Sequence, residues 1–165
     1  SNPIEYQGVY PLPEAQIDRF LMKINMGYLS IPQEIEVISG QKVKHPIESL
    51  GAVMDLEKVL ELQEEVKKIE ISPHILEYIV KLISSTREKK ERIKLGASPR
   101  ASIALMKASC AWAFIEGRDY VIPEDITKLL PWVLKHRLIL QPEVSISGQT
   151  SEEVISELLK DTAIP

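Results

Sequence analysis

Five times along this 165-residue chain a proline stands at the head of a stretch with helical periodicity: Pro13, Pro32, Pro73, Pro99 and Pro123. Proline has no backbone N–H and holds φ near about −65°, so in a helical pattern it fits the first turn, where the N–H has no intrahelical partner anyway. Two of the five follow a serine, Ser72 and Ser98, whose hydroxyl can accept a bond from a first-turn amide. Such punctuation separates a chain into discrete helices, and the predicted fold class is mainly α, a helical bundle.

The stripes between these starts set the elements. Residues 13–20 predict a short helix with Glu14 in its first turn, and Pro32 opens a charged helix ending at Gly40. Residues 41–54 read as a loop. Asp55 caps a helix whose Leu56, Val59, Leu60, Leu62, Val66 and Ile69 recur near the 3.6 period. Ser72-Pro73 begins a helix striped by Ile75, Leu76, Ile79, Val80 and Ile83, with Arg87 near its end. Ser98-Pro99 begins another, running to Gly117. Its stripe of Ile103, Leu105, Met106, Ala108, Cys110, Trp112, Ala113 and Phe114 is wide enough for the centre of a core. A helix from Pro123 to about His136 should kink or split at Pro131. Residues 138–148 predict a small β-hairpin or an extended edge segment, and Thr150 with Glu153 has capping-box spacing ahead of a closing amphipathic helix.

One stretch breaks the helical pattern. Leu21, Lys23 and Asn25 alternate with Met22, Ile24 and Met26, which predicts a strand, and one strand is not a sheet. Residues 1–29 are therefore expected to be a helix-strand remnant of a larger α/β domain, with the bundle occupying 30–165. The opening Ser1-Asn2-Pro3, lacking Met and an apolar leader, agrees with that expectation.

Composition removes several function classes. Cys110 is the single cysteine, which excludes a disulfide framework or thiolate metal site and points to a reducing, cytoplasmic setting. A net charge of −4 argues against a duplex-binding face, so nucleic acid is not an expected partner. No apolar run is long enough to span a membrane. His45, His74 and His136 match no metal spacing, and neither G-x-x-x-x-G-K-[ST] nor G-x-G-x-x-G occurs, so no metal is expected and the chain has no phosphate cradle of its own. Cys110, on an apolar stripe, reads as a small core residue.

Three positive features remain. Residues 86–94 hold five basic and two acidic residues; a solvated helix end explains them better than a phosphate contact, because the whole chain is acidic. Arg100 lies at the second position of a well-capped helix, where a cation opposes the positive end of the helix dipole. Contact with an anion would account for it, and an ordinary surface arginine remains the alternative. Arg19 could project its planar fork toward a carboxylate or phosphate, but on local grounds a pair with Asp18 or Glu14 is the favoured reading.

Larger blocks then come together. Asn2-Pro3-Ile4-Glu5, Gly8-Val9-Tyr10-Pro11-Leu12-Pro13-Glu14-Ala15-Gln16-Ile17-Asp18-Arg19-Phe20, Leu95-Gly96-Ala97-Ser98-Pro99-Arg100-Ala101, Gly117-Arg118-Asp119-Tyr120-Val121, Pro123-Glu124-Asp125 and His136-Arg137-Leu138 occur in order. The series resembles the part of MoxR-type AAA+ ATPases that follows Walker B, over nearly the whole chain. The lysine-rich stretch 87–94 departs from the usual pattern.

The resemblance implies a C-terminal helical lid preceded by the last helix and strand of the nucleotide-binding core. It implies three catalytic residues: Asn2 as the sensor-1 polar residue, Arg19 as an arginine finger and Arg100 as the sensor-2 arginine, with Ser98, Pro99 and Arg100 forming the nucleotide-contacting motif. ATP and Mg²⁺ would be used by the full-length protein, whose Walker A and Walker B lie outside this sequence, so the segment alone should hold neither and be inactive. The implied partners are the missing core, further copies in a hexamer and von Willebrand factor A-domain proteins, and the implied work is chaperone-like remodelling or maturation of protein complexes. The competing expectation is a stand-alone helical adaptor that binds protein or DNA through the basic run.

Overall fold

The computed structural model describes residues 12–41 and 45–165; Asn2 and the other expectations placed on residues 1–11 lie outside them. The described elements are α1 (Glu14–Ile17), α2 (Ile31–Gln41), a 3-10 turn at Pro46–Ser49, α3 (Leu56–Lys67), α4 (Pro73–Glu88), β1 (Ile93–Leu95), α5 (Pro99–Ile115), α6 (Pro123–Leu134), β2 (Ile139–Leu140), α7 (Pro142–Ile146) and α8 (Ser151–Asp161). They fall into two units, one combining the chain up to Lys23 with Val66–Pro165, the other Ile24–Glu65.

The caps form where the sequence places them. Ser72 Oγ accepts the Ile75 N–H at 3.3 Å, Ser98 Oγ accepts the Arg100 N–H at 3.3 Å, and Asp55 accepts the Lys58 N–H at 2.7 Å. At the start of α8 both arms of the capping box close, Glu153 N–H to Thr150 Oγ1 at 3.2 Å and Thr150 N–H to Glu153 Oε2 at 2.8 Å. Gly117 ends α5 at φ +73°, where a residue without Cβ is unstrained.

In the first unit α5 lies between α4 and α6, and its buried face differs from the expected stripe. Ala101, Ala104, Leu105, Ala108, Ser109 and Ala113 point inward, while Ile103 is 53% exposed. The reason is steric: a face of alanines lets α4 and α6 approach closely and deliver the larger groups themselves. These are Tyr78, Ile79, Leu82 and Ile83 from α4 and Ile126, Leu129, Leu130, Val133 and Leu134 from α6, closed by Val154, Ile155 and Leu158 of α8. Each such side chain contributes about 1.5–3 kcal/mol on burial. The Tyr78 hydroxyl is buried with no hydrogen-bond partner among the described residues, and burial raises its pKa.

The structure refines three further expectations. α6 runs unbroken through Pro131, because Leu129, Leu130, Val133 and Leu134 anchor both sides of the proline in the core. Of the two forms expected within residues 138–148, the extended edge segment is found at β2 and the local hairpin is not: β2 pairs antiparallel with the distant β1, Ile93 opposite Leu140, and α7 follows at once. Residues 21–26 form no ladder, since the described residues offer them no partner strand. Lys23 instead donates its N–H to the Trp132 carbonyl at 2.9 Å.

The basic run serves as internal fastening. Lys89 pairs with Asp161 and Arg92 with Glu157, both on α8, while Arg87 donates to the Ala97 carbonyl at 2.8 Å and to Ser84 Oγ at 2.8 Å.

Candidate functional site

The site is assembled from the start of α5, the end of α6 and the segment after α1. A close approach sets the first of these. Gly96 lies so near the last turn of α4 that a Cβ there would meet the Thr86 carbonyl oxygen at 2.6 Å, so a side chain would force backbone apart. The next residue is fixed from both sides, its N–H donating to Thr86 Oγ1 at 3.0 Å and its carbonyl accepting from Arg87. Ala97 thus leads into Ser98 and Pro99 in one arrangement, with Pro99 as the first helical residue.

Ser98 has a second task beyond capping. While its oxygen accepts the Arg100 amide, its own O–H donates to Asp18 Oδ2 at 2.8 Å. The other oxygen of that carboxylate accepts the Arg137 Nε–H at 3.1 Å. Arg137 donates its remaining four N–H groups to carbonyls: Leu21 at 3.2 Å and Val133 at 2.6 Å from one terminal nitrogen, Asp18 at 3.1 Å and Phe20 at 2.5 Å from the other. A guanidinium has five N–H donors, and all five are used.

The Arg137 side chain is 2% exposed. Burial disfavours its charged form and lowers its pKa, and the adjacent Asp18 carboxylate opposes that shift. His136, beside it, donates Nε2–H to the Phe20 carbonyl at 3.2 Å, which leaves Nδ1 buried without a partner among the described residues. Burial is the main cause of a His136 pKa below the usual imidazole value; Arg137 and Lys23 act in the same direction, and the Phe20 bond and Asp18 oppose them.

Arg19 and Arg100 are the opposite case. Both side chains are exposed, and neither makes a hydrogen bond or ion pair among the described residues. The pair of Arg19 with Asp18 or Glu14, favoured on local grounds, does not form; Asp18 is instead held by Ser98 and Arg137, one on each carboxylate oxygen. Two unpaired guanidiniums beside one fixed framework suit an anionic phosphate. No group of three carboxylate, histidine or cysteine ligands that could hold a metal occurs among the described residues. Cys110 is half-buried, and burial raises its thiol pKa, as fits a packing residue. The groove lined by Leu76, Val80, Ser84 and Asp161 includes none of the predicted site residues.

Sequence reasoning missed Asp18 and Arg137 as site residues. The signal was present, since both lie in blocks carrying the family resemblance, but neither block states which acceptors an arginine 119 positions away will meet. Arg118 marks a second clasp. It grips Asp125 through both terminal nitrogens, at 2.8 and 2.6 Å, and so closes the loop between α5 and α6.

Comparison with known proteins bears on the fold and the family. The AAA lid domain model matches residues 85–158, from the last turns of α4 to α8. An uncharacterized Bacillus subtilis protein, YeaC, is 47% identical over 164 residues, covering 99% of this chain and 51% of YeaC. Mycobacterium tuberculosis chaperone MoxR1 is 39% identical over 172 residues, covering 99% of this chain and 45% of MoxR1. A crystal structure of a Cytophaga hutchinsonii protein assigned as an ATPase superposes with a TM-score of 0.90 at 36% identity, over 99% of this chain and 52% of that one. The chain spans about half the length of the curated relatives it matches. Order of motifs, lid architecture and relatives converge: the chain belongs to the MoxR-type AAA+ ATPases, of which it is the lid-bearing C-terminal part.

Proposed function

We propose that this segment is the lid-bearing part of an ATP-driven machine, in which residues 1–29 complete the nucleotide-binding core and 30–165 form the lid. In the full-length protein it couples ATP binding and hydrolysis to chaperone-like remodelling or maturation of protein complexes. The observation that carries the reading is that Arg19 and Arg100 are both exposed, with no side-chain partner among the described residues, beside a hydrogen-bonded framework.

Arg19 acts as an arginine finger across a subunit interface, Arg100 as the sensor-2 arginine, and Asn2 as the sensor-1 residue. Ser98 and Pro99 aim Arg100. The nucleotide supplies the phosphate to be cleaved; this chain's residues contribute cationic charge and orientation, and Mg²⁺ is held by Walker residues outside it. The assembly is a cytoplasmic hexamer, with von Willebrand factor A-domain proteins among its partners. The adaptor reading loses support because Arg87, Lys89 and Arg92 of the basic run are engaged within the fold.

The test is steady-state ATP hydrolysis by the full-length protein and its Arg19→Ala and Arg100→Ala variants. An arginine finger is worth about 10³–10⁵ in kcat in nucleotide hydrolases, so Arg19→Ala should nearly abolish turnover. Arg100→Ala should weaken ATP affinity as well as rate. Unchanged turnover in both variants would remove the reading, as would ATP hydrolysis by the isolated segment.

A further inference from the structure

The Arg137 guanidinium is placed unusually for a residue that serves only to hold a turn. Three of its five donors end on the carbonyls of Asp18, Phe20 and Leu21, and a fourth on the Asp18 side chain, so the bonds bracket Arg19 on both sides without touching its side chain. The Phe20 carbonyl is gripped twice, by Arg137 and by His136. The four-residue α1 before it is too short to hold this geometry by itself. Apolar packing could anchor a turn at lower desolvation cost than a buried guanidinium, so a stability role alone explains the arrangement poorly.

The second half of the observation is the path to α5. The Arg100 amide donates to Ser98 Oγ, Ser98 donates to Asp18, and Arg137 donates to the other oxygen of Asp18. One carboxylate therefore joins the backbone next to Arg19 to the cap of the helix that carries Arg100. We propose that Asp18, held by Arg137, is a positioning residue that fixes Arg19 relative to the start of α5, so that the two exposed arginines present to phosphate as one body. This rests on the reading of Arg19 as a residue that acts on phosphate. Asp18 and Arg137 touch no reacting atom; they work through Arg19.

The requirement is chemical as well as steric. Lysine in place of Arg137 keeps the charge but offers three donors from one point, too few for five acceptors spread around a planar fork. Asparagine in place of Asp18 keeps the shape and removes the charge that holds the guanidinium. Glycine in place of Ser98 is tolerated at a helix start, yet deletes the hydroxyl that reaches Asp18.

The experiment is a set of mutant cycles in the full-length protein. Asp18→Asn, Arg137→Lys and Ser98→Gly are each made in the parent and in an Arg19→Ala background, and kcat, KM for ATP and the thermal midpoint are measured. In the parent, Asp18→Asn and Arg137→Lys should lower kcat about ten-fold or more, the rate equivalent of a lost charge-assisted hydrogen bond, with a much smaller change in KM. Ser98→Gly, the mildest variant, should lower kcat several-fold at a near-parental midpoint. In the Arg19→Ala background Asp18→Asn and Arg137→Lys should have no further effect on kcat, while their effects on the midpoint persist; Ser98→Gly should keep part of its effect, because Ser98 also caps the helix that carries Arg100. Equal fold losses of kcat in both backgrounds would show a purely structural role and overturn the proposal, and so would well-folded variants with parental kcat. If Arg19→Ala itself left turnover unchanged, the functional reading would fall and take this proposal with it. A large Arg19→Ala effect with additive partners sinks the proposal alone.

Discussion

The two units of the chain carry similar helical patterns and meet different fates. In the unit containing Val66–Pro165, α4, α5, α6 and α8 sink their stripes into one core, and Leu82, Leu105, Leu130 and Leu158 are all fully buried. In Ile24–Glu65, α2 and α3 carry stripes of comparable spacing, yet no described residue there is buried: Ile31 is 76% exposed and Leu56 72%. Periodicity makes a helix amphipathic, but only a facing surface makes its apolar side worth hiding. Among the described residues, the second unit buries none of its apolar side chains.

Substitution should separate the units sharply. Leu130→Ala should cost about 2–5 kcal/mol of stability by opening a cavity, whereas Leu56→Ala should change it by less than about 0.5 kcal/mol, both followed by denaturant unfolding of this chain. Equal losses would mean that Ile24–Glu65 is packed in solution, which would break the comparison. Gly96→Ala comes next. With the Thr86 carbonyl at 2.6 Å from the new methyl, overpacking should cost about 1–3 kcal/mol, visible as a lower thermal midpoint. The equivalent change at Gly51, where a Cβ meets nothing, should leave the midpoint unchanged.

The smallest expected effect is a pH dependence of the packed unit. The folded-state pKa of His136 lies below the unfolded value near 6.5, chiefly through burial. The unfolded chain therefore takes up this proton first as pH falls. The His136 contribution should be flat above about 6.5, decline as pH drops below it, and be fully lost below the depressed folded value. Thermal midpoints measured between neutral and mildly acidic pH should show a shallower decline in His136→Gln than in the parent. A parallel decline would assign the effect to other groups.

Legibility followed the range of the interaction. Helix starts at Pro73, Pro99 and Pro123 and the box at Thr150 and Glu153 were readable because a cap is settled within four residues. The buried face of α5 was legible in part: Leu105, Ala108 and Ala113 stand in the expected stripe, whereas Ala101, Ala104 and Ser109 do not, because large apolar residues attract attention. Pairing of β2 with β1 was not readable, since the two strands lie far apart and their register depends on how α5 and α6 return the chain. At the site, Arg19 and Arg100 were found through family-like motifs, but their freedom from local partners was not. Glu14 and Asp18 are the carboxylates that sequence distance favours for Arg19, and only the fold commits Asp18 elsewhere.

By itself the sequence determined the helical class, most helix starts, the single unpaired cysteine and the blocks that mark the family, all of which depend on neighbours along the chain. The tertiary structure decided which apolar stripes are buried, why Gly96 has no room for a side chain, and that Arg137 spends four of its five donors around Arg19. Those outcomes depend on surfaces brought together from 10 to 119 residues apart, and a hydrogen bond or a buried methyl exists only when both partners arrive.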